Sequence, residues 1–113
     1  MKWILVSLLA STLAFAGDKK KEEPKPDAAT VAAGAKLYLE KTCVACHGKD
    51  AKTPIMPDYP RLAGQSAAYA EKQMLDIKSG ARSNGNTAAM KGVMPLVSEA
   101  EIKTLSVYLS SLQ

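Results

Sequence analysis

Apolar and polar positions along this chain alternate with a helical period in three stretches, separated by glycine- and proline-rich segments. Residues 28–41 are alanine-rich and carry apolar side chains at Val31, Ala35, Tyr38 and Leu39. Asp27 or Thr30 can cap the start of this helix. Gly34 in mid-helix costs about 1 kcal/mol relative to alanine, which predicts close approach by another helix. Residues 48–60, with glycine and three prolines, read as an irregular loop. A second helix is predicted over residues 66–78, burying Tyr69, Met74 and Ile77 and ending at Gly80 in a left-handed cap. Residues 81–94, rich in glycine and asparagine, read as a second loop. The last helix is the clearest, because Ser98-Glu99-Ala100-Glu101 is a capping box. Ile102, Leu105, Leu109 and Leu112 then share one face, with Tyr108 alongside. No strand-period alternation occurs, so the expected fold is all-α, with three to four helices.

Two segments precede this domain. Residues 1–16 have a charged start at Lys2, an almost wholly apolar run from Trp3 to Leu13, and an Ala14-Phe15-Ala16 cleavage site, the pattern of a cleaved signal peptide. Its apolar length falls short of the roughly 20 residues a bilayer span needs. Residues 17–27 hold four lysines, four acidic residues and two prolines with no large apolar side chain, which predicts a flexible charged leader. Residues 28–113 are then one small domain. A core this thin usually needs a staple.

The staple is suggested by one pentapeptide. Both cysteines and the only histidine of the chain fall in Cys43-Val44-Ala45-Cys46-His47. This is the C-x-x-C-H signature of covalent c-type haem attachment. The thiols add across the porphyrin vinyl groups, and the adjacent imidazole binds the iron. A disulfide would not need His47, and a thioredoxin-like pair needs a βαβ setting that is missing here. A structural zinc site needs four ligands, and no further Cys or His completes one. Aromatics make up only 5% of the chain, which suits a core whose main flat apolar object is a cofactor.

The sixth coordination position has no second histidine to fill it, so the methionines are the candidates. Met1 goes with the signal peptide. Met56 follows His47 by nine residues, too few to reach the opposite face comfortably. Met74 sits at a core position of the second helix, where methionine is more often packing. Met90 and Met94 lie before the last helix, where the chain can swing under the ring. Pattern alone does not choose between them, and the proline after Met94 would stiffen the backbone behind that residue.

From Gly34 onward the chain resembles the class I c-type cytochromes, through Gly34, Tyr38, the run from Cys43 to Gly48, and the capped helix ending Tyr108-Leu109-Ser110-Ser111-Leu112. More narrowly, Tyr59-Pro60-Arg61-Leu62-Ala63-Gly64-Gln65, Tyr69, Lys72-Gln73-Met74, Asp76-Ile77-Lys78 and Gly80-Ala81-Arg82-Ser83-Asn84 resemble one half of the dihaem periplasmic cytochromes called c-four. The resemblance implies the class I cytochrome c fold around one haem c, covalent through Cys43 and Cys46. It places the axial methionine eight residues before the capping serine, at Met90. It also implies that the Pro60 carbonyl accepts from His47, that Leu62 packs on the ring, and that Arg82 can meet a propionate. The chain departs from that family in carrying one haem motif rather than two.

Charge adds little. The formal charge is +4, the leader's four lysines are matched by its four acidic residues, and no basic helix or interleaved aromatics point to nucleic acid. The expected function is a non-enzymatic, monomeric electron carrier of the periplasm with His47 and Met90 as iron ligands. A quinol:cytochrome c reductase is the expected donor, and a terminal oxidase or periplasmic reductase the acceptor. No membrane span is expected once the signal is removed. Two rivals remain: a haem enzyme or gas sensor with an open sixth site, and a subunit tethered by an uncleaved signal.

Overall fold

A computed structural model describes residues 26–113. The signal-peptide reading and nearly all of the charged leader lie outside the described residues. Within them the chain forms α1 (Ala28–Glu40), α2 (Cys43–His47), α3 (Ala67–Ser79), α4 (Thr87–Lys91), a 3₁₀ turn (Met94–Leu96) and α5 (Glu99–Ser111). No strand occurs among the described residues, so the all-α expectation holds. The helix count does not. Three helices of thirteen residues carry the frame, and two single-turn helices sit between them.

The long helices start and stop where local chemistry directs. Asp27 accepts from the Thr30 amide at the head of α1, Ser66 accepts from the Tyr69 amide at the head of α3, and Ser98 and Glu101 form the reciprocal capping box of α5. Gly80 closes α3 with a φ of 86°. Residues 81–94 are not a loop throughout, because Thr87-Ala88-Ala89-Met90-Lys91 forms α4. These are mostly good helix formers, but five residues are too few to show a period.

α5 packs against both α1 and α3. The α1–α5 crossing is built on Gly34: a Cβ there would lie 2.3 Å from Tyr108 Cβ and 2.8 Å from the Thr104 carbonyl oxygen. Any larger residue would push the two helices apart. Beside that crossing the rings of Tyr38 and Tyr108 meet at 5.7 Å and 55°, a tilted arrangement within the centroid range of favourable aromatic pairs. The protein core is Tyr38, Ile77, Met94, Val97, Ile102, Leu105 and Leu109, with small Ala51 and Ala63 under the loops. One position expected to be buried is not: Tyr69 is 51% exposed.

Candidate haem site

The frame leaves a cavity of about 340 Å³ walled by Tyr38, Leu62, Met74, Ile77, Leu105 and Leu109 among other residues. Cys43, Cys46 and His47 enter it from α2, and Met90 and Met94 enter it from α4 and the 3₁₀ turn. Among the helices α2 touches only α1, whereas α4 touches α3 and the 3₁₀ turn. The two sets of side chains therefore sit on separate walls of one cavity.

The attachment wall is shaped by backbone geometry. Thr42 enters the left-handed region at φ 65°, which turns the chain sharply out of α1 and into α2. Gly48 follows the histidine at φ 83°, and a Cβ there would lie 2.3 Å from the Thr53 carbonyl oxygen. Only glycine fits that exit. The Tyr38 hydroxyl donates to the Gly48 carbonyl at 2.6 Å, tying the end of α2 back to α1. Burial is the main cause holding the Tyr38 hydroxyl above the ordinary tyrosine range, so it stays a donor. The Ile55 amide donates to the Cys46 carbonyl at 3.0 Å, bringing the following loop alongside.

The donor atoms suit a macrocycle-borne metal rather than a bare ion. Among the described residues no group of three or more His, Cys, Asp or Glu could hold a metal ion. Both cysteines are free and half-buried on the cavity wall, and burial is the main cause pushing the Cys43 thiol up. Burial also lowers the His47 pKa, so the imidazole is neutral and can offer a lone pair. The Pro60 carbonyl lies near enough to favour the protonated ring, in the direction of the expected pairing. It does not reach the geometry of a formed hydrogen bond, because His47 Nδ1 is buried with no partner. A neutral imidazole directly following two unpaired thiols is what a haem-binding turn requires.

The remaining candidates separate. Met56 is 45% exposed and does not line the cavity. Met74, Met90 and Met94 all line it, with Met94 only 2% exposed and Met90 half-buried. Leu62 and Arg82 line it as well. Arg82 Nη1 donates to Gln73 Oε1 at 3.2 Å, which orients the guanidinium at the rim. Several rim contacts had no sequence signal because they join distant segments. Asn86 donates to Asp58 at 2.6 Å, linking the two loops across the opening. The Tyr59 ring stands 6.4 Å from that of His47.

These features match known proteins. The cytochrome c family model matches residues 31–113. Cytochrome c-554(548) of Halomonas halodenitrificans is 41% identical over 70 residues, covering 62% of this chain and 83% of that protein. Cytochrome c4 of Stutzerimonas stutzeri is 32% identical over 112 residues, covering 92% of this chain and 53% of the relative. The crystal structure of reduced recombinant cytochrome c4 from Pseudomonas stutzeri superposes with a TM-score of 0.68 at 34% identity, covering 78% of this chain and 50% of that one. The chain thus spans about half the length of these cytochrome c4 relatives. Its Cys43–Cys46 pair fits covalent attachment of a single haem c. With the fold, the attachment turn and the family match in agreement, this chain belongs to the cytochrome c family.

Proposed function

We propose that the mature protein is a monohaem electron carrier with His47 and Met90 as axial ligands, working in the periplasm rather than as a catalyst. The observation that carries this reading is the convergence of His47 and a methionine on separate walls of one cavity. When bound, the haem supplies a one-electron couple at its iron. The chain supplies everything around it. Cys43 and Cys46 would tether the ring through their sulfurs, and the neutral His47 imidazole would give a nitrogen to the iron. The Pro60 carbonyl is the acceptor that would fix the other nitrogen of that imidazole.

Met90 is favoured over Met94 on burial. Met94 is already enclosed by protein at 2% exposure and belongs to the core, while half-buried Met90 keeps part of its surface open to the cavity. A thioether ligand raises the reduction potential and fills the coordination sphere. A filled sphere suits a carrier and denies a catalyst its open position. The apolar run and cleavage site of residues 1–16 support export, and no helix among the described residues is long and apolar enough to cross a membrane. A quinol:cytochrome c reductase as donor, and a terminal oxidase or periplasmic reductase as acceptor, fit such a carrier acting as a monomer.

Spectroscopy of the holoprotein tests the ligation. The oxidised wild type should show the near-red band of a sulfur–iron bond, and the reduced form should bind carbon monoxide poorly. Met90→Ala should lose the band, lower the potential and bind carbon monoxide. A wild type that binds carbon monoxide freely would replace the carrier reading with a sensor or enzyme.

A further inference from the structure

Between α4 and α5 the chain makes a short connection whose carbonyls are held from outside. Within it the Leu96 amide donates to the Val93 carbonyl at 3.0 Å and the Val97 amide to the Met94 carbonyl at 3.1 Å. The Leu96 and Val97 carbonyls receive no such backbone bond. Each takes a lysine ammonium from a different helix end. Lys41, the C-cap of α1, donates Nζ to the Leu96 carbonyl at 2.9 Å and pairs with Glu101 at 3.4 Å. Lys78, in the last turn of α3, donates to the Val97 carbonyl in a partly buried contact. Val97 is 1% exposed, so water cannot easily take over that bond, whereas Leu96 is 70% exposed.

We propose that Lys78, assisted by Lys41, is a positioning residue that pins this connection and thereby holds the α4 methionine at the haem iron. The proposal rests on the methionine ligation argued above. α4 has five residues and the 3₁₀ turn three, and helices that short have no stability of their own. Their position is set by packing on α3 and by whatever fastens the chain downstream. Lys78 fastens it at a buried point, with a charge-assisted bond. Without that bond the segment from α4 to the 3₁₀ turn is held by packing alone, through the buried Met94 and Val97, and opens locally more often while the rest stays folded. Opening removes the sulfur from the iron and exposes the sixth position.

The test uses four variants of the holoprotein. Lys78→Met keeps the stem and removes the donor, Lys78→Arg restores a donor, and Lys41→Met removes the more exposed pin. Asp27→Ala weakens the α1 cap, which is remote from the connection, and serves as a control for general loss of stability. Carbon monoxide association with the reduced protein should accelerate in Lys78→Met on the order of ten-fold, with a weakened near-red band. Lys41→Met should accelerate it less, and Lys78→Arg and Asp27→Ala should stay near wild type. Wild-type kinetics in Lys78→Met, or equal acceleration in Asp27→Ala, would overturn the proposal while leaving ligation intact. A wild type lacking the near-red band would remove the ligation reading, and this proposal with it.

Discussion

On the attachment wall, Cys43, Cys46 and His47 occupy one turn of helix, and the residues that shape it lie within about ten positions. Thr42 turns the chain in, Gly48 turns it out, and Tyr38 bonds the exit. On the methionine wall nothing comparable is local. Met90 sits on a five-residue helix held by Asn86 to Asp58 and, downstream, by Lys41 to Leu96 and Lys78 to Val97. One wall is written in consecutive residues and the other is assembled by contacts between distant ones. Short-range structure forms at small entropic cost, whereas each long-range contact must offset the ordering of the chain between its ends. The attachment wall should therefore be the stiffer of the two, and the methionine wall the one that opens.

The largest way to break this comparison is to remove the tether itself. Cys43→Ser with Cys46→Ser leaves the turn geometry nearly intact but deletes both sulfurs that join the ring. Covalent haem should be absent on a denaturing gel stained for haem. The small domain should also lose its staple and unfold at lower denaturant. Haem staining that survives the double change would sink the attachment reading outright.

On the other wall, Met94→Ala should be distinguishable from Met90→Ala by which quantity moves. Met94 is nearly fully enclosed, so truncation leaves a cavity and should cost about 2–5 kcal/mol in a denaturant titration. Its near-red band should persist in the folded fraction. Met90→Ala should move stability less and abolish the band. If Met94→Ala abolishes the band instead, the ligand is Met94, the more buried of the two methionines.

The same contrast explains what could be read from the chain alone. Adjacent residues carry their own meaning, so the pentapeptide, the Ser98 capping box and the Gly80 stop were legible. Gly34 was legible as a close approach because its cost in a helix demands a reason, though the partner, Tyr108, comes from tertiary structure. α4 was not legible, since a single turn flanked by Gly85 and Gly92 shows no period. Tyr69 is expected in the core and is not, because helical spacing gives a face but not its neighbours. Neither lysine pin carries any local mark, because an exposed-looking lysine and one reaching a carbonyl 19 or 55 residues away have the same sequence signature.

The smallest expected effect probes the stiffness assigned to the attachment wall. Tyr38→Phe removes one hydroxyl from a residue that is 2% exposed and leaves the Gly48 carbonyl without its 2.6 Å donor. The ring and its contact with Tyr108 stay, so packing is conserved and the loss should be about 1–2 kcal/mol. Burial raises the folded-state pKa of this hydroxyl above that of the unfolded chain. A group shifted that way stabilises fully at pH values below the unfolded pKa and loses its contribution as pH rises beyond it. The stability gap between wild type and Tyr38→Phe should therefore be flat below about pH 10 and shrink above it. Haem attachment and the carbon monoxide rate should stay at wild-type values, because Cys43, Cys46 and His47 remain held by Thr42 and Gly48. A Tyr38→Phe protein that binds carbon monoxide as readily as Lys78→Met would show that the two walls open together. The contrast between a stiff wall and a hinged one would then be wrong.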